Sequence, residues 1–429
     1  MTQINRKIPP KIKDIKNIDY LKPDINRLDN GIDIYVINGG TAEVVQVDFV
    51  FDAGAEFSNK SLLPAFANNL CKEAPKGTKP DDFSEMLDFY GCIFNGFVSN
   101  RFAGFKLLMP NNYAGKILPV ISDLIKNPAL PKKEFEISQK TNYQKIQRSL
   151  LKNKFLANKI INTQLFGNKN PFGLDIKPDD IYKINLNEIS EYVINQYNSN
   201  DCKIIISGMA EKKVIDLLNK NLGQSNWGNN NHNNHNKYPV KESSEKYKII
   251  EKKDSLQSSI FVGKFLDIKN EEDIFSILVL NTALGGYFGS RLMKNIREDK
   301  GYTYGIGSFI TAYPDKYVLK ITTDVGINFT KQTIDEIFKE ITKLQKEKID
   351  ETELKLVKNY MMGDMLNSFN GPFPTAATYL KLLETNHNHE FIDNQINKIL
   401  NITPEEIKKC AVDYFEKDKF YTVVVGKIG

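Results

Sequence analysis

The sequence predicts an α+β fold of two related domains, each a mixed, mostly antiparallel sheet with helices covering one face. Strand-like and helix-like segments follow each other in the same order in both halves of the 429-residue chain. A short Asn-rich stretch divides the chain near its midpoint, and each half has roughly the 200 residues of an ordinary domain. The shared order therefore indicates that one α+β unit occurs twice.

The first half begins with two strand-like segments, residues 32–37 and 44–51, which are rich in β-branched and aromatic residues. Residues 62–71 then change to helical spacing. A second short helix is predicted over residues 81–90, where Asp81 or Asp82 can cap the first turn. The remaining predicted elements of this half are two strands (92–98 and 103–109), a helix (113–126), a long polar helix from Pro131 to about Leu165, a buried strand (203–207) and a closing helix (214–221).

The second half repeats this plan. A strand over residues 258–265 leads into a helical segment, residues 274–296, which Gly285 and Gly286 interrupt. The elements that follow are two paired strands (302–311 and 317–323), two helices (330–346 and 350–366) and a last strand (421–425). Residues 116–140 match residues 333–358 most clearly. In both, two strands precede a helix, a short break and a longer helix.

The dividing stretch, residues 223–237, reads GQSNWGNNNHNNHNK and has nothing to bury. We interpret it as a linker or a long surface loop. The predicted organisation is an N-terminal domain (1–225), a linker (226–237) and a C-terminal domain (238–429).

Composition excludes several classes of function. The net charge is +5, but Asp and Glu are interleaved with the lysines, so no basic stripe suits nucleic acid. No segment approaches the roughly 18 apolar residues of a spanning helix, and the N-terminus has no signal-like apolar stretch. The four cysteines are far apart in the sequence, a spacing that favours reduced thiols in a cytoplasmic protein over a disulfide framework. We also expect no membrane partner.

Histidine is the most informative residue type. The chain has four, and the first is His232, so the N-terminal half has none. His232 and His235 lie in the Asn-rich stretch without a nearby acidic or cysteine partner, while His387 and His389 lie in a polar segment. Solvent-exposed histidines explain both pairs better than a metal site does. Phosphate-binding loops and the G-x-S-x-G nucleophile motif do not occur.

Two groups of residues resemble the pitrilysin/insulinase-like zinc metallopeptidases, the inverzincins, over almost the whole chain. The first group consists of Leu28-Asp29-Asn30-Gly31, Asp52-Ala53-Gly54-Ala55-Glu56 and Lys76-Gly77-Thr78. The second consists of Gly285-Gly286-Tyr287-Phe288-Gly289-Ser290-Arg291-Leu292, Ile296-Arg297-Glu298 and Gly301-Tyr302-Thr303-Tyr304. The second group is more specific, because many positions agree at fixed spacing. The resemblance implies the pitrilysin-like fold, which the mitochondrial processing peptidase also has.

In active members of that family, a helix after the first strands carries H-x-x-E-H, whose histidines bind zinc and whose glutamate activates the bound water. The corresponding segment here is Ala65-Phe66-Ala67-Asn68-Asn69. Alanine has no donor atom, and asparagine cannot act as a general base. The downstream carboxylate ligand is missing too, because no acidic residue lies between Glu136 and Asp175. We therefore expect no metal or cofactor in this chain, with zinc only in a partner subunit.

The resemblance assigns a substrate-binding role to Arg297 and Tyr304. In active members the second half contributes an arginine and a tyrosine to the site, where they can donate hydrogen bonds to a peptide carbonyl or a developing oxyanion. The alternative is that Arg297 pairs with Glu298 or Asp299 and that Tyr304 packs on the sheet. The paired glycines are interpreted as structural.

Two functions are consistent with these residues. The first is a non-catalytic subunit of a heterodimeric zinc peptidase, which forms half of a peptide-binding clamshell and supplies Arg297 and Tyr304 to the partner's active site. The second is a homodimeric or monomeric peptide-binding or scaffold protein with no proteolytic role. A companion gene that encodes H-x-x-E-H would favour the first.

Overall fold

The computed structural model describes residues 15–60, 62–229 and 238–428, which contain two β-sheets. The strands of the first sheet are β1 (Asp24–Arg27), β2 (Asp33–Asn38), β3 (Val44–Phe51), β4 (Ile93–Val98), β5 (Ala103–Pro110) and β6 (Cys202–Gly208). Those of the second are β7 (Tyr247–Glu251), β8 (Gln257–Leu266), β9 (Thr303–Tyr313), β10 (Lys316–Gly326) and β11 (Tyr421–Gly426). The strand orders are β1-β2-β6-β3-β5-β4 and β7-β11-β8-β10-β9.

The two sheets share one topology, which confirms the predicted α+β fold of two related units. In each sheet the strand that enters the unit pairs in parallel with the strand that closes it, β2 with β6 and β7 with β11. The remaining neighbours are antiparallel. Strand β1 is an addition at the edge of the first sheet. The sequence did not predict it, because all four of its residues are exposed and show no apolar alternation.

The helices of the first half are α1 (Leu63–Cys71), α2 (Pro80–Phe89), α3 (Ala114–Lys126), α4 (Lys132–Leu151), α5 (Asn153–Phe166), α6 (Leu186–Gln196) and α7 (Lys212–Leu218). Those of the second half are α8 (Asp273–Asn281), α9 (Thr330–Lys346), α10 (Glu351–Ser368), α11 (Pro372–Glu384), α12 (His389–Asn401) and α13 (Pro404–Tyr414). None of the helices in the described residues has both the length and the apolar character needed to cross a membrane.

The single long helix predicted from Pro131 to about Leu165 is wrong, since the chain forms α4 and α5 there. Lys152 between them has extended backbone angles, φ −80° and ψ 123°. The break follows from packing. Phe135 of α4 belongs to the core of the first half, whereas Ile161 and Leu165 of α5 belong to a core with the second sheet. One straight helix could not reach both cores.

The two halves exchange helices. Helix α5 of the first half lies against β8 and β11, with Ile161 in one apolar cluster with Phe261 and Val423. Helix α11 of the second half lies against β2 and β6 of the first sheet. The prediction that helices cover one face of each sheet is therefore wrong, because a helix from the opposite half lies on the second face. This exchange buries apolar side chains between the halves.

The chain ahead of β1 also packs on the second half. Tyr20 stacks on Phe369 with ring centres 4.5 Å apart, and its hydroxyl donates to Oδ1 of Asp393 at 2.7 Å. Ile18 joins the core of the second half. The residues ahead of β1 therefore also attach the first half of the chain to the second half.

The beginning of the Asn-rich stretch packs against the first half. The indole Nε1–H of Trp227 donates to the carbonyl of Leu222 at 3.1 Å, and the ring lies edge-on to Phe51 at 6.0 Å. Residues 230–237, with His232 and His235, lie outside the described residues. The predicted division into domains 1–225 and 238–429 stays a prediction, although each sheet is formed within one of these ranges.

Candidate functional site

Helix α1 carries the segment that the resemblance aligns with the zinc motif of active peptidases of that family. Ala65 and Asn69 are one turn apart and share a face of the helix; Ala65 is half-buried and Asn69 is exposed. The resemblance aligns these residues with the two histidines of the motif. Alanine offers no metal ligand, so this face lacks the pair of donors that zinc needs.

Asn68, at the position of the catalytic glutamate, is a core residue. Its side chain is 2% exposed. Its amide nitrogen donates to the carbonyl of Gly104 at 2.9 Å and to the hydroxyl of Tyr197 at 3.1 Å. A Cβ atom on Gly96 would lie 2.2 Å from Oδ1 of Asn68, so the asparagine occupies the space above that glycine. The amide thus holds α1 to the first sheet.

Replacing Asn68 with alanine is expected to lower the free energy of unfolding by about 1–3 kcal/mol, because buried acceptors lose their donor. Urea denaturation of both proteins measures this difference. Asn69→Ala is the matched control on the same helix, and its exposed position predicts a change within about 0.5 kcal/mol. Equal stability of the two variants would contradict a core role for Asn68.

Helix α4 does not supply the missing carboxylate. Its acidic residues, Glu134 and Glu136, lie near its beginning, and Glu136 faces Lys132 at 3.8 Å. The next acidic residue along the chain, Asp175, pairs with Lys159 at 2.5 Å. In the described part of the chain, no three His, Cys, Asp or Glu side chains are grouped closely enough to hold a metal. The residues at this site do not fit zinc.

The glycine-containing motif of the second half is built on π-helical turns. Helix α8 continues into one such turn, Thr282–Gly286, and a second turn, Met293–Asp299, precedes β9. Turns of this kind inside helices often occur at functional sites. A Cβ atom on Gly285 would lie 2.6 Å from Oγ of Ser308, so only glycine allows the first turn to approach β9 this closely. This contact supports the structural interpretation of Gly285.

Arg291 in this motif has a structural partner. Its Nε and Nη2 donate to the two carboxylate oxygens of Glu353 on α10, both at 2.8 Å. The side chains are 16% and 28% exposed, so the pair is largely shielded from water. The forked geometry fixes the motif to the helical layer behind it.

Arg291→Ala is therefore expected to lower the free energy of unfolding by about 2 kcal/mol, since Glu353 would remain largely buried without its partner. Chemical denaturation provides the measurement. Lys294→Ala is the control, because Lys294 is an exposed cation on the following turn. If the two substitutions have the same effect, the ion pair contributes nothing to stability.

Arg297 has a different environment. Its guanidinium carbon lies 4.5 Å from the centre of the Phe288 ring. Within the described residues no carboxylate lies at ion-pair distance from it, and the adjacent Glu298 and Asp299 are exposed. The alternative of an ion pair with either neighbour is thus not what the structure shows. Stacking on the ring leaves the N–H groups in the guanidinium plane available to a ligand.

Tyr304 is 92% exposed near the beginning of β9, so the alternative of a tyrosine packed on the sheet is not observed. Its neighbour Tyr302 instead stacks on Phe329 with ring centres 4.5 Å apart. Gly301 adopts a positive φ of 66°, and the Tyr302 amide donates to the carbonyl of Ile296 at 3.0 Å. This turn brings the segment with Arg297 and the beginning of β9 to one end of the second sheet.

Sequence reasoning did not assign a role to Phe288. The residue is 63% exposed and is the aromatic face under Arg297. It belongs to the quoted motif, and an exposed aromatic residue between two glycines could have been a signal. His387 is not solvent-exposed as expected: its side chain is 14% exposed, and its ring nitrogens lie 2.7 Å from Oγ1 of Thr385 and 2.9 Å from Oε1 of Glu271.

Comparison with known proteins agrees with these motifs. Residues 183–361 match the family model described as the Peptidase M16 inactive domain. The chain is 22% identical to "Uncharacterized zinc protease YmxG" of Bacillus subtilis over 402 residues, covering 91% of this chain and 95% of that protein. It is also 22% identical to "Non-peptidase homolog YmxG" of Helicobacter pylori over 277 residues, 61% of this chain and 60% of that one.

Solved structures show the same fold. A protease from Helicobacter pylori superposes with a TM-score of 0.84 at 17% identity, covering 95% of this chain and all of that chain. The periplasmic protease PqqL from Escherichia coli superposes with a TM-score of 0.79 at 14% identity, covering 99% of this chain but 49% of that one. The matches and the motifs together show that this chain is similar to the pitrilysin/insulinase-like M16 peptidases, with residues 183–361 matching their inactive domain, and that it lacks the H-x-x-E-H motif.

Proposed function

We propose that this chain is the non-catalytic subunit of a heterodimeric zinc peptidase. It forms half of a peptide-binding clamshell and presents Arg297 and Tyr304 to the active site of a zinc-bearing partner. One contrast carries this proposal. The first half lacks the family's zinc ligands, whereas in the second half Arg297 has no carboxylate at ion-pair distance among the described residues and Tyr304 is 92% exposed.

The packing of the halves supports a partner chain. Helices α5 and α11 lie on the sheets of the opposite halves, so the two halves pack together directly. The chain corresponds to about half of PqqL, a protease with a further length of chain of similar size. A second polypeptide of this family would supply the equivalent of that further length of chain, including the zinc ligands and the glutamate that acts as general base.

The chemistry of the two side chains suits such a role. The guanidinium group can donate two hydrogen bonds in a fork to a peptide carbonyl or a terminal carboxylate. The Tyr304 hydroxyl can donate to the oxygen that becomes negative during attack on the carbonyl. Zinc, bound by the partner, would activate the attacking water. This chain would position the substrate and stabilise charge.

Reconstitution tests the proposal. The purified chain is mixed with each relative from the same genome that carries H-x-x-E-H, and the mixtures are examined by size-exclusion chromatography and fluorogenic peptide hydrolysis. We expect an equimolar complex that hydrolyses peptides faster than either chain alone. Failure to form a complex with any such relative, or equal activity of the relative alone, would refute the proposal.

A peptide-binding or scaffold protein without a proteolytic role is the second candidate. The name of the Helicobacter pylori relative, a non-peptidase homolog, favours it. A stable homodimer that binds peptides and does not change the rate of any zinc-bearing relative would support this function. In either case we propose a cytoplasmic location, because the four cysteines are buried free thiols, as expected in a reducing compartment.

A further inference from the structure

A cavity of about 390 Å³ lies where the two halves meet, far from Tyr304. The first half contributes Glu56, which follows β3, and Phe166 at the end of α5. The second half contributes Tyr313 at the end of β9, the turn that follows it, and Asn386 after α11. Tyr313 is the last residue of β9, and Tyr304 is near its beginning, about 30 Å away along an extended strand. The cavity is therefore separate from the surface assigned to the peptidase reaction.

One wall of the cavity is aromatic. The ring centre of Tyr313 lies 4.6 Å from that of Phe166 and 4.8 Å from that of Phe172. Burial raises the pKa of Tyr313 to about 12, so this phenol stays neutral at physiological pH. Such rings offer apolar surface to a hydrocarbon chain, and their π faces attract cations.

Glu56 supplies a carboxylate without a partner. Its side chain lines the cavity, and within the described residues it makes no hydrogen bond or ion pair. The loop around it is nevertheless fixed, because the Glu56 amide donates to the carbonyl of Asn100 at 2.9 Å. Glu56 is partly buried, so its carboxylate has lost part of its hydration without gaining a hydrogen bond, and a cation that reaches it would be bound favourably.

The charges around Glu56 are mostly negative. Asp52, Asp315 and Glu384 act on it, and Arg101 is the opposing cation. Arg101 also lines the cavity, but its guanidinium group already has partners, since its Nε donates to Oδ1 of Asp52 at 3.3 Å and its Nη1 to Oδ1 of Asn386 at 2.5 Å. Lys316 also lines the cavity, but its ammonium group lies over the ring of Phe265 at 5.1 Å. This end of the cavity therefore favours a positively charged ligand.

We propose that this cavity binds the ammonium or guanidinium group of a lysine or arginine side chain in a peptide, with its charge on Glu56 and its hydrocarbon chain against Phe166, Phe172 and Tyr313. The volume is in the range of small-ligand sites. The proposal does not depend on the peptidase role, because the cavity is formed within this chain alone.

The expected affinity depends on pH. Burial, the largest effect, raises the pKa of Glu56 to about 7; Arg101 lowers it, and Asp52, Asp315 and Glu384 raise it. The cation binds the ionised carboxylate, so protonation competes with binding. The affinity should be close to its maximum at pH values above the pKa of Glu56, where the carboxylate is ionised. It should fall as the pH decreases through about 7.

Calorimetry on the full chain tests the proposal with N-acetyl-L-lysinamide and N-acetyl-L-argininamide as probes and N-acetyl-L-norleucinamide as the neutral comparison. At least one cationic probe should bind saturably, about ten-fold more tightly than the neutral one and more tightly at about pH 8 than at about pH 6. Glu56→Gln should lower the affinity about ten-fold, whereas Glu85→Gln, at an exposed position on α2, should not change it.

Val240→Trp provides a second variant, because it fills the cavity and leaves the carboxylate in place. It should also weaken binding, and thermal unfolding of each variant checks that the fold is kept. Three results would overturn the proposal: no saturable binding of either cation to the wild-type chain, equal binding of the neutral probe, or unchanged affinity in folded Glu56→Gln protein.

Discussion

Arg297→Ala is expected to lower kcat/KM of the reconstituted heterodimer by about 10²–10³-fold, the usual effect of removing a donor that stabilises developing charge. The physical reason is that the guanidinium group stacks on Phe288 and pairs with no carboxylate in the part of the chain that the structure describes, which leaves its N–H donors available to substrate. Steady-state kinetics with a fluorogenic peptide measures the change. A fall mainly in kcat would indicate a contact made in the transition state, and a rise in KM alone would indicate ground-state binding.

Matched variants make this test specific. Lys294→Ala removes an exposed cation from the same turn and should leave the rate within two-fold or so of the wild type, about the scatter of surface substitutions. Arg297→Lys keeps the charge but loses the planar fork, so it should rescue little activity. A complex with Arg297→Ala that forms normally and cleaves at the wild-type rate would exclude the proposed role of this residue.

Phe166→Ala is expected to lower the free energy of unfolding by about 3–5 kcal/mol, the range for removing a buried phenylalanine. Phe166 is 2% exposed at the end of α5, and its ring centre lies 5.0 Å from that of Phe265 in the second sheet. The loss of stability should be greatest in the region where the two halves pack together. Urea denaturation measures the total, and hydrogen exchange should show faster opening of α5.

The control for this prediction lies on the same helix. Phe155 is 39% exposed, so Phe155→Ala removes the same atoms from a partly solvated position and should cost much less. If the two variants are equally stable, or if exchange in α5 is unchanged in Phe166→Ala, the exchange of helices contributes little to holding the halves together.

Much of the fold could be predicted because its elements carry strong local patterns. The alternation in residues 44–51 matches β3, and the predicted helix over residues 330–346 is α9. Helices α11 to α13 were not predicted. Helix α11 begins with two prolines among three residues, a composition that also suits a loop. The break between α4 and α5 was missed because the surrounding residues favour helix on both sides.

The candidate site was predictable in its residues but not in its contacts. Arg291 and Arg297 belong to the same motif, yet Arg291 is paired with Glu353 and Arg297 lies on the ring of Phe288. The cavity at Glu56 had no sequence signal at all. Its walls come from positions more than 100 residues apart, and the family motif that contains Glu56 gave no indication of a ligand.

The sequence by itself determined that this chain's N-terminal half cannot form the family's zinc site, because no arrangement of the backbone can create imidazole donors that the half does not contain. The tertiary structure alone decided which of the polar side chains are used for packing and which remain available. Asn68 is used for packing because Gly104 and Tyr197 accept its hydrogen bonds, whereas Glu56 lines a cavity and makes no hydrogen bond or ion pair through its side chain among the described residues. Pairing depends on distances in space, and those arise only when distant segments pack together.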